Sequence, residues 1–316
     1  MGTGEANKPR NHLVTDATQP FEFTYQQFGK PAKLVVQQTP NEETWPGGAL
    51  WDIGVLLSHV LVGLASGTIS STSKSILLPK RIFEAFHSIN NSNKADWTVL
   101  ELGCGVGLTG LVAAASWGTQ LTILTDLEVV IDQVTQPNVM NNSTLSASTD
   151  GKKKPYRLMN TGKRGRIMAM PLCWGRQEDE QKVAATFEQH TKSSNKSRST
   201  KRGKKKKGGS QNQKDPSEDA SKPNLIIIGD VAYQHKPGAP SHFDALLETL
   251  LTFLGPHTIV IFGTRMRMPA SADLLEMFSL HMEECCDPIP ADEIDPSFGK
   301  FKHQITIHVF RKRQDR

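Results

Sequence analysis

The sequence predicts an α/β protein built on a doubly wound, mostly parallel sheet, with an N-terminal extension of a β-hairpin and helices. Three observations predict it. From Trp97 onward, short β-rich runs alternate with segments of helical periodicity, the pattern of strand–helix–strand units on a parallel sheet. One run, NLIIIGD (224–230), is almost wholly apolar, as a strand covered on both faces must be. The chain ends on KHQITIHVFRK (302–312), an alternating strand with no helix after it, which suits an antiparallel addition at or near a sheet edge.

Residues 1–20 are polar and read as a flexible arm. FEFTYQQF (21–28) and KLVVQQT (33–39) alternate apolar and polar side chains around a GKP turn, which predicts a short hairpin. WPGGALWD leads into a helix through about Ser66, and ILLPKRIFEAFHSI (76–89) reads as a second helical segment broken near Pro79. These pieces, 21–96, form the extension. WTVLELG (97–103) is the first strand of the sheet and LTGLVAAASWG its helix. QLTILTD is the second strand, followed by LEVVIDQVTQPNVMNN, a helix disturbed at Pro137. RIMAMPLCW is the third strand and NLIIIGD the fourth. HFDALLETLLTFL has apolar residues at helical spacing; HTIVIFGTR is the fifth strand and SADLLEMFSLHM the fifth helix.

The stretch 191–222 breaks this pattern. It is rich in Lys, Ser, Gly and Gln with hardly an apolar residue, so it cannot offset the entropy of ordering. It is expected to be a disordered basic insert between the third and fourth strands, dividing the sheet domain into 97–190 and 223–316. Between Thr191 and Lys214 stand ten Lys/Arg and no Asp/Glu; removing them turns the net charge from +5 to −5. The basic character belongs to the insert. Its KRGKKKK run (201–207) leaves open a nuclear address or a nucleic-acid contact. The run lacks interleaved aromatics for stacking, so a solvated charge run is the simpler reading.

The opening MGTGEANKPRNH has no apolar core of a secretory signal, and Ala6 stands where a myristoylation signal needs Ser or Thr. The longest apolar run, WDIGVLLSHVLVGLA (51–65), is shorter than the roughly 20 residues of a bilayer span. Four cysteines without a CxxC pair, and no His cluster at ligand spacing, point to reduced thiols and no metal. The expectation is a cytoplasmic monomer, off the membrane, with the nucleus left open by the basic run.

The sharpest local signal is VLELGCGVGLTG (99–110). Gly103, Cys104 and Gly105 fall where the first strand turns into its helix, a place where backbone amides approach a ligand closely. Asp126 ends the second strand, 23 residues after Gly103, well placed for ribose hydroxyls. Gly105, Gly107 and Gly110 also spell the dinucleotide fingerprint GxGxxG. Against a dinucleotide stand Glu101, whose carboxylate suits the cationic amino group of a methionine moiety and repels a pyrophosphate, and the late start of this strand at Trp97. The favoured cofactor is therefore S-adenosylmethionine.

In GDVAY (229–233), Asp230 and Tyr233 fall at the carboxyl end of the fourth strand, across the switch point from the glycine turn. Methyl transfer needs a neutral nucleophile aligned with the methyl group. A lysine amine, with a pKa of about 10.4, must be held while its proton leaves, and a carboxylate with a phenol can do both. Val231 and Ala232 stand where enzymes acting on a base amine often carry a flat proline platform, so an aliphatic amine is favoured. His235 reads as a loop residue and His59 as a partly buried one.

ALWDIGVLLSHVL, VLELGCGVGLTGL, TDLEVV, LCWG, GDVAY and GTRMRM, in this order, resemble the protein-lysine methyltransferases of methyltransferase family 16, particularly the methyltransferase-like 21 group. The resemblance runs from about Phe21 to Phe310 without the basic insert, where relatives usually have a short connection. It implies a seven-stranded, Rossmann-like methyltransferase sheet. By resemblance, Trp51 helps close the cofactor site, and Gly103, Cys104 and Gly105 contact the methionine portion. Asp126 would hold the ribose, Trp174 would lie against the adenine, and Gly229 would line the pocket. Asp230 and Tyr233 match a DxxY motif that holds the target lysine; Arg265 and Arg267 match a basic pair without an assigned role. Trp51 and Trp174 also suit plain core positions. The resemblance implies a protein substrate such as a chaperone, AAA ATPase or translation factor. Two rivals stay open: a methyltransferase of a small molecule or nucleic acid, and a non-catalytic cofactor-binding module recruiting nucleic acid through the insert.

Overall fold

The computed structural model describes residues 16–27, 30–44, 46–66, 68–70, 75–89, 96–144, 156–158, 165–199, 221–231, 242–266, 269–300 and 304–314. Strands β1 (Phe21–Gln27) and β2 (Lys30–Val36) form the antiparallel hairpin expected from their alternation. Helix α1 (Asp52–Ser66) follows. The segment around Pro79 departs from the helical reading: β3 (Thr68–Ser70) pairs with β4 (Ser75–Leu77), and α2 (Lys80–Ile89) starts only after the proline. Proline fixes φ and lacks an N–H, so it opens the helix instead of interrupting it.

The sheet domain begins with β5 (Thr98–Leu102), α3 (Leu108–Trp117) and β6 (Leu121–Asp126). The next helical stretch comes in three pieces: α4 (Glu128–Val130), a π turn over Ile131–Thr135, and α5 (Gln136–Asn141), whose first turn holds Pro137. Short strands β7 (Ser143–Thr144) and β8 (Tyr156–Leu158) lead to β9 (Arg166–Pro171). Helix α6 (Gln177–Ser199) runs on past Thr191, where composition alone ended the folded part. Its first turn carries Glu178, Asp179 and Glu180, which complement the positive end of the helix dipole. The KRGKKKK run lies outside the described residues. Then come β10 (Leu225–Gly229), α7 (Phe243–Phe253), β11 (Ile259–Arg265) and α8 (Pro269–His281). The chain closes with β12 (Met282–Glu284), β13 (Ile289–Pro290), α9 (Ala291–Ile294), a 3₁₀ turn at Pro296–Lys300, and β14 (Ile305–Lys312).

The strands order as β12-β14-β11-β10-β5-β6-β9-β8-β7, with β13 beside β14. The first seven in that row make the expected seven-stranded sheet. Strands β9, β6, β5, β10 and β11 pair in parallel, and β14 runs antiparallel between β11 and β12. The strands β7 and β8 widen one edge. Chain order runs outward from β5 in both directions, so the switch point lies between β5 and β10. That is where a doubly wound sheet opens a crevice at its carboxyl ends.

Alternate residues of the central strands feed two cores. Val99, Leu225, Ile227, Ile259 and Ile261 pack toward α1, α3 and the hairpin; Leu100, Ile226, Ile228, Val260 and Phe262 pack toward α7 and α8. Helix α1 crosses the carboxyl halves of β10 and β11 so closely that a Cβ on Gly263 would fall 2.5 Å from Ile53 Cγ2. Its first residue, Asp52, is buried and meets the guanidinium of Arg265 at 2.5 Å. This ion pair ties the extension to the end of β11, and it accounts structurally for one of the two arginines noted in GTRMRM. Among the described residues no helix is long and apolar enough to cross a membrane.

Candidate functional site

A cavity of about 270 Å³ opens at the switch point. Its lining comes from the 43–54 segment that leads into α1, the β5–α3 turn, the ends of β6, β9 and β10, and the start of α7. Gly103, Gly105 and Gly107 all hold positive φ, at 71°, 51° and 80°, a region that glycine enters freely and other residues enter at a cost. The space around them is as restrictive as the backbone. A Cβ on Gly103 would lie 2.9 Å from Val231 and 3.2 Å from the Trp174 ring, and one on Gly105 3.0 Å from the Gly47 carbonyl. The Gly103 and Cys104 amides both donate to Thr125 O, at 2.9 and 3.0 Å, which folds the turn back over the end of β6.

Asp126 is fixed by its neighbours. The Gly105 amide donates to Oδ2 and the Leu127 amide to Oδ1, each at 2.8 Å. Removal from water pushes its carboxyl above the ordinary value, against the pull of those two amides. Glu101 lies deeper, 4% exposed. The Gly110 amide donates to its Oε2 at 2.8 Å, and burial pushes its pKa up to about 8. Gly110 belongs to this contact: a Cβ there would meet Oε2 at 2.6 Å and Leu124 at 2.0 Å. The last glycine of the apparent dinucleotide fingerprint thus makes room for a buried carboxyl. Cys104 is buried and its thiol is pushed well up, by burial first and then by the neighbouring Asp126 and Glu101 carboxyl groups; it stays protonated.

All eight residues expected around the cofactor line this one cavity: Trp51, Glu101, Gly103, Cys104, Gly105, Asp126, Trp174 and Gly229. Trp51 and Trp174 are half-buried, so neither is a closed core residue; the Trp51 indole donates to Pro46 O at 3.1 Å. Asp230 lines the same cavity. Its φ is 51°, the single positive value among the described non-glycine residues, and its amide donates to Gly263 O at 3.0 Å. Tyr233, His235 and Arg267 lie outside the described residues. Sequence reasoning missed Thr44, Gly47, Leu127, Val130 and His242 in the lining. Thr44 and Gly47 sit in a stretch without periodicity, and only the close approach of Gly47 to Gly105 brings it in.

The charge of the lining is one-sided. Glu43, Glu101, Asp126 and Asp230 contribute carboxyl groups, and no Lys or Arg lines the cavity among the described residues. Among the described lining residues, an anionic ligand such as a pyrophosphate meets no Lys or Arg, whereas a cationic one meets several carboxyl groups.

Residues 30–186, about half of the chain, match the family model described as lysine methyltransferase. Two curated relatives are histidine protein methyltransferase 1 homologs. The one from Bos taurus is 42% identical over 57 residues, 18% of this chain and 15% of its own length. The one from Mus musculus is 40% identical over 57 residues, 18% and 16%. The matched stretch is thus a small part of either protein. Among solved structures, a precorrin-6y C5,15-methyltransferase from Geobacter metallireducens aligns with TM-score 0.37 and 8% identity over 77% of this chain and 94% of its own. A Methanococcus jannaschii fibrillarin aligns with TM-score 0.38 and 11% identity over 93% and 99%. Likenesses at that level add nothing about the site, and the sequence match carries the assignment: across residues 30–186 the chain belongs to the lysine methyltransferase family.

Proposed function

We propose that this protein is an S-adenosylmethionine-dependent methyltransferase that modifies a lysine side chain of a protein substrate. The observation that carries the proposal is the cavity itself: several carboxyl groups, no Lys or Arg among the described lining residues, and a glycine turn too tight for any Cβ. The donor's ammonium and sulfonium cations fit that lining. When bound, S-adenosylmethionine supplies a methyl group activated on a sulfonium.

Glu101 faces the ammonium end from its buried position, and its carboxyl ionises on gaining that counter-charge. Asp126, its two oxygens already oriented by backbone amides, keeps lone pairs for ribose hydroxyls. Trp174, against Gly103, offers a ring face to an aromatic base. Asp230 receives the acceptor: its carboxylate accepts a hydrogen bond from the lysine side chain and aligns it, the ammonium proton passes to water, and the neutral amine takes the methyl group. Its left-handed backbone turns the side chain out of the line of β10 and into the cavity. Tyr233 is the proposed second group of this acceptor site.

A second reading has one observation behind it, the 57-residue likeness to histidine protein methyltransferases. An imidazole, with a pKa near 6.5, is largely neutral at physiological pH and needs less help in losing a proton. Product analysis separates the two. Cell extract is incubated with the protein and methyl-tritiated donor, and labelled proteins are hydrolysed to amino acids. The label is expected in methyllysine and is expected to vanish with Asp230→Ala. Label in methylhistidine would establish the second reading. Label confined to RNA or small metabolites would overturn both.

A further inference from the structure

Helix α5 and its C-cap carry two asparagines four residues apart, and both grip the free edge of the hairpin. Asn142 accepts the Val35 amide at 3.0 Å and donates to the Val35 carbonyl at 2.7 Å. Asn138 does the same at Gln37, accepting at 2.7 Å and donating at 3.0 Å. Four helical residues advance about 6 Å and two strand residues about 6.6 Å, so the two side-chain amides match alternate edge residues. They stand in for a missing neighbour strand.

The two rungs differ in one respect. Asn138 Nδ2 also donates to Val106 O at 3.0 Å, inside the glycine turn. Three residues earlier, Thr135 ends the π turn and donates to Gly105 O at 2.7 Å. Both side chains are fully buried. The extra residue that a π turn inserts shifts the face of the following helix, and here it brings Thr135 and Asn138 to the carbonyls of consecutive turn residues. Gly105 is the residue whose amide holds Asp126.

We infer that Asn138 is a positioning residue for the methyl donor: through its bond to Val106 it makes the donor-binding shape of the glycine turn depend on a docked N-terminal hairpin. The donor part of this inference rests on the function proposed above; the coupling part does not. Asn142 supplies the control, since it holds the hairpin by an equivalent rung but has no bond to the turn among those observed.

The test compares Asn138→Ala with Asn142→Ala in the full chain by amide hydrogen exchange of Gly105–Gly107 without ligand, and by calorimetric titration with S-adenosylmethionine. Both variants are expected to melt lower. Exchange at the turn should rise roughly tenfold in Asn138→Ala, as loss of one buried hydrogen bond implies, and stay within about twofold of wild type in Asn142→Ala. Donor affinity should fall by a similar factor in Asn138→Ala alone. Asn138→Ser, which leaves room for a bridging water at Gln37, replaces Asn138→Ala should that variant fail to fold. Equal exchange in the two variants, or wild-type exchange in the Asn138 variant, overturns the inference. A wild-type protein that does not bind the donor overturns the proposed function instead, and the exchange comparison still decides the coupling.

Discussion

Asp230 is the residue where backbone and chemistry meet most directly. A left-handed conformation costs an ordinary residue roughly 1–2 kcal/mol and Asp somewhat less, because its short side chain can bond locally. Strain of this kind persists where surrounding structure imposes it, and it collects at functional sites. Here the hydrogen bond that the Asp230 amide donates to the Gly263 carbonyl holds the conformation at the end of β10. Replacing Asp230 with Gly removes the strain and the carboxylate together. We expect Asp230→Gly to gain about 0.5–1 kcal/mol in urea unfolding while methyl transfer falls at least about 100-fold, the scale of a lost positioning and proton-handling group. A variant that loses both stability and transfer would mean that Asp230 serves the fold. Glu101 follows the opposite logic, since its environment and not its backbone is unusual: a carboxyl buried beside Asp126, pushed up to about 8, waits neutral for a counter-charge.

At the scale of elements, helix α1 does more than cover the sheet. Gly229 and Gly263 let it lie against β10 and β11, with Ile53 and Leu57 filling the space their side chains would take. Asp52 at its start is locked to Arg265 with both groups out of water. Trp51, the residue before, lines the cavity. Removing one partner of a buried pair strands the other, at a cost of about 3–5 kcal/mol. Arg265→Ala should therefore lose stability on that order in chemical denaturation. Asp52→Leu with Arg265→Met, an apolar pair of similar volume, should recover most of it. Loss confined to a few tenths of a kcal/mol in Arg265→Ala would show that α1 is held by its apolar contacts alone.

Across the whole molecule, the sheet was legible in the sequence, and so was the part of the lining that the strand ends and the glycine turn supply. Almost wholly apolar strands such as NLIIIGD, and a glycine turn with an acidic residue at the end of the next strand, are signals written within one strand–helix–strand unit. What escaped depends on contacts between distant segments. Thr44 and Gly47 carry no periodicity, and they reach the cavity only because the hairpin docks α1 and its leader across the sheet. The three-residue β3–β4 pairing is set by its partner strand more than by its own composition. The π turn has no sequence signature, yet it is what aims Thr135 and Asn138. The extent of α6 was hidden for a different reason: the sequence of its far half is polar and has no hydrophobic periodicity to mark a helix.

The account as a whole stands on a cationic methyl donor meeting the buried Glu101 carboxyl. Its most direct measurement is calorimetric titration of S-adenosylmethionine into wild type and Glu101→Gln, at pH 6.5, 8 and 9 in two buffers of different ionisation heat. Below about 8 the free carboxyl holds its proton, and the donor's amino group, with a pKa of about 7.7–8.0, holds one too. The bound pair shares a single proton. Wild type should therefore bind one donor with affinity highest near pH 8, releasing close to one proton at pH 6.5 and taking one up at pH 9. Glu101→Gln should bind at least about tenfold more weakly and release none, the loss expected when a charge-assisted contact is removed. Equal affinity in the two proteins, or binding without proton exchange, would contradict the account.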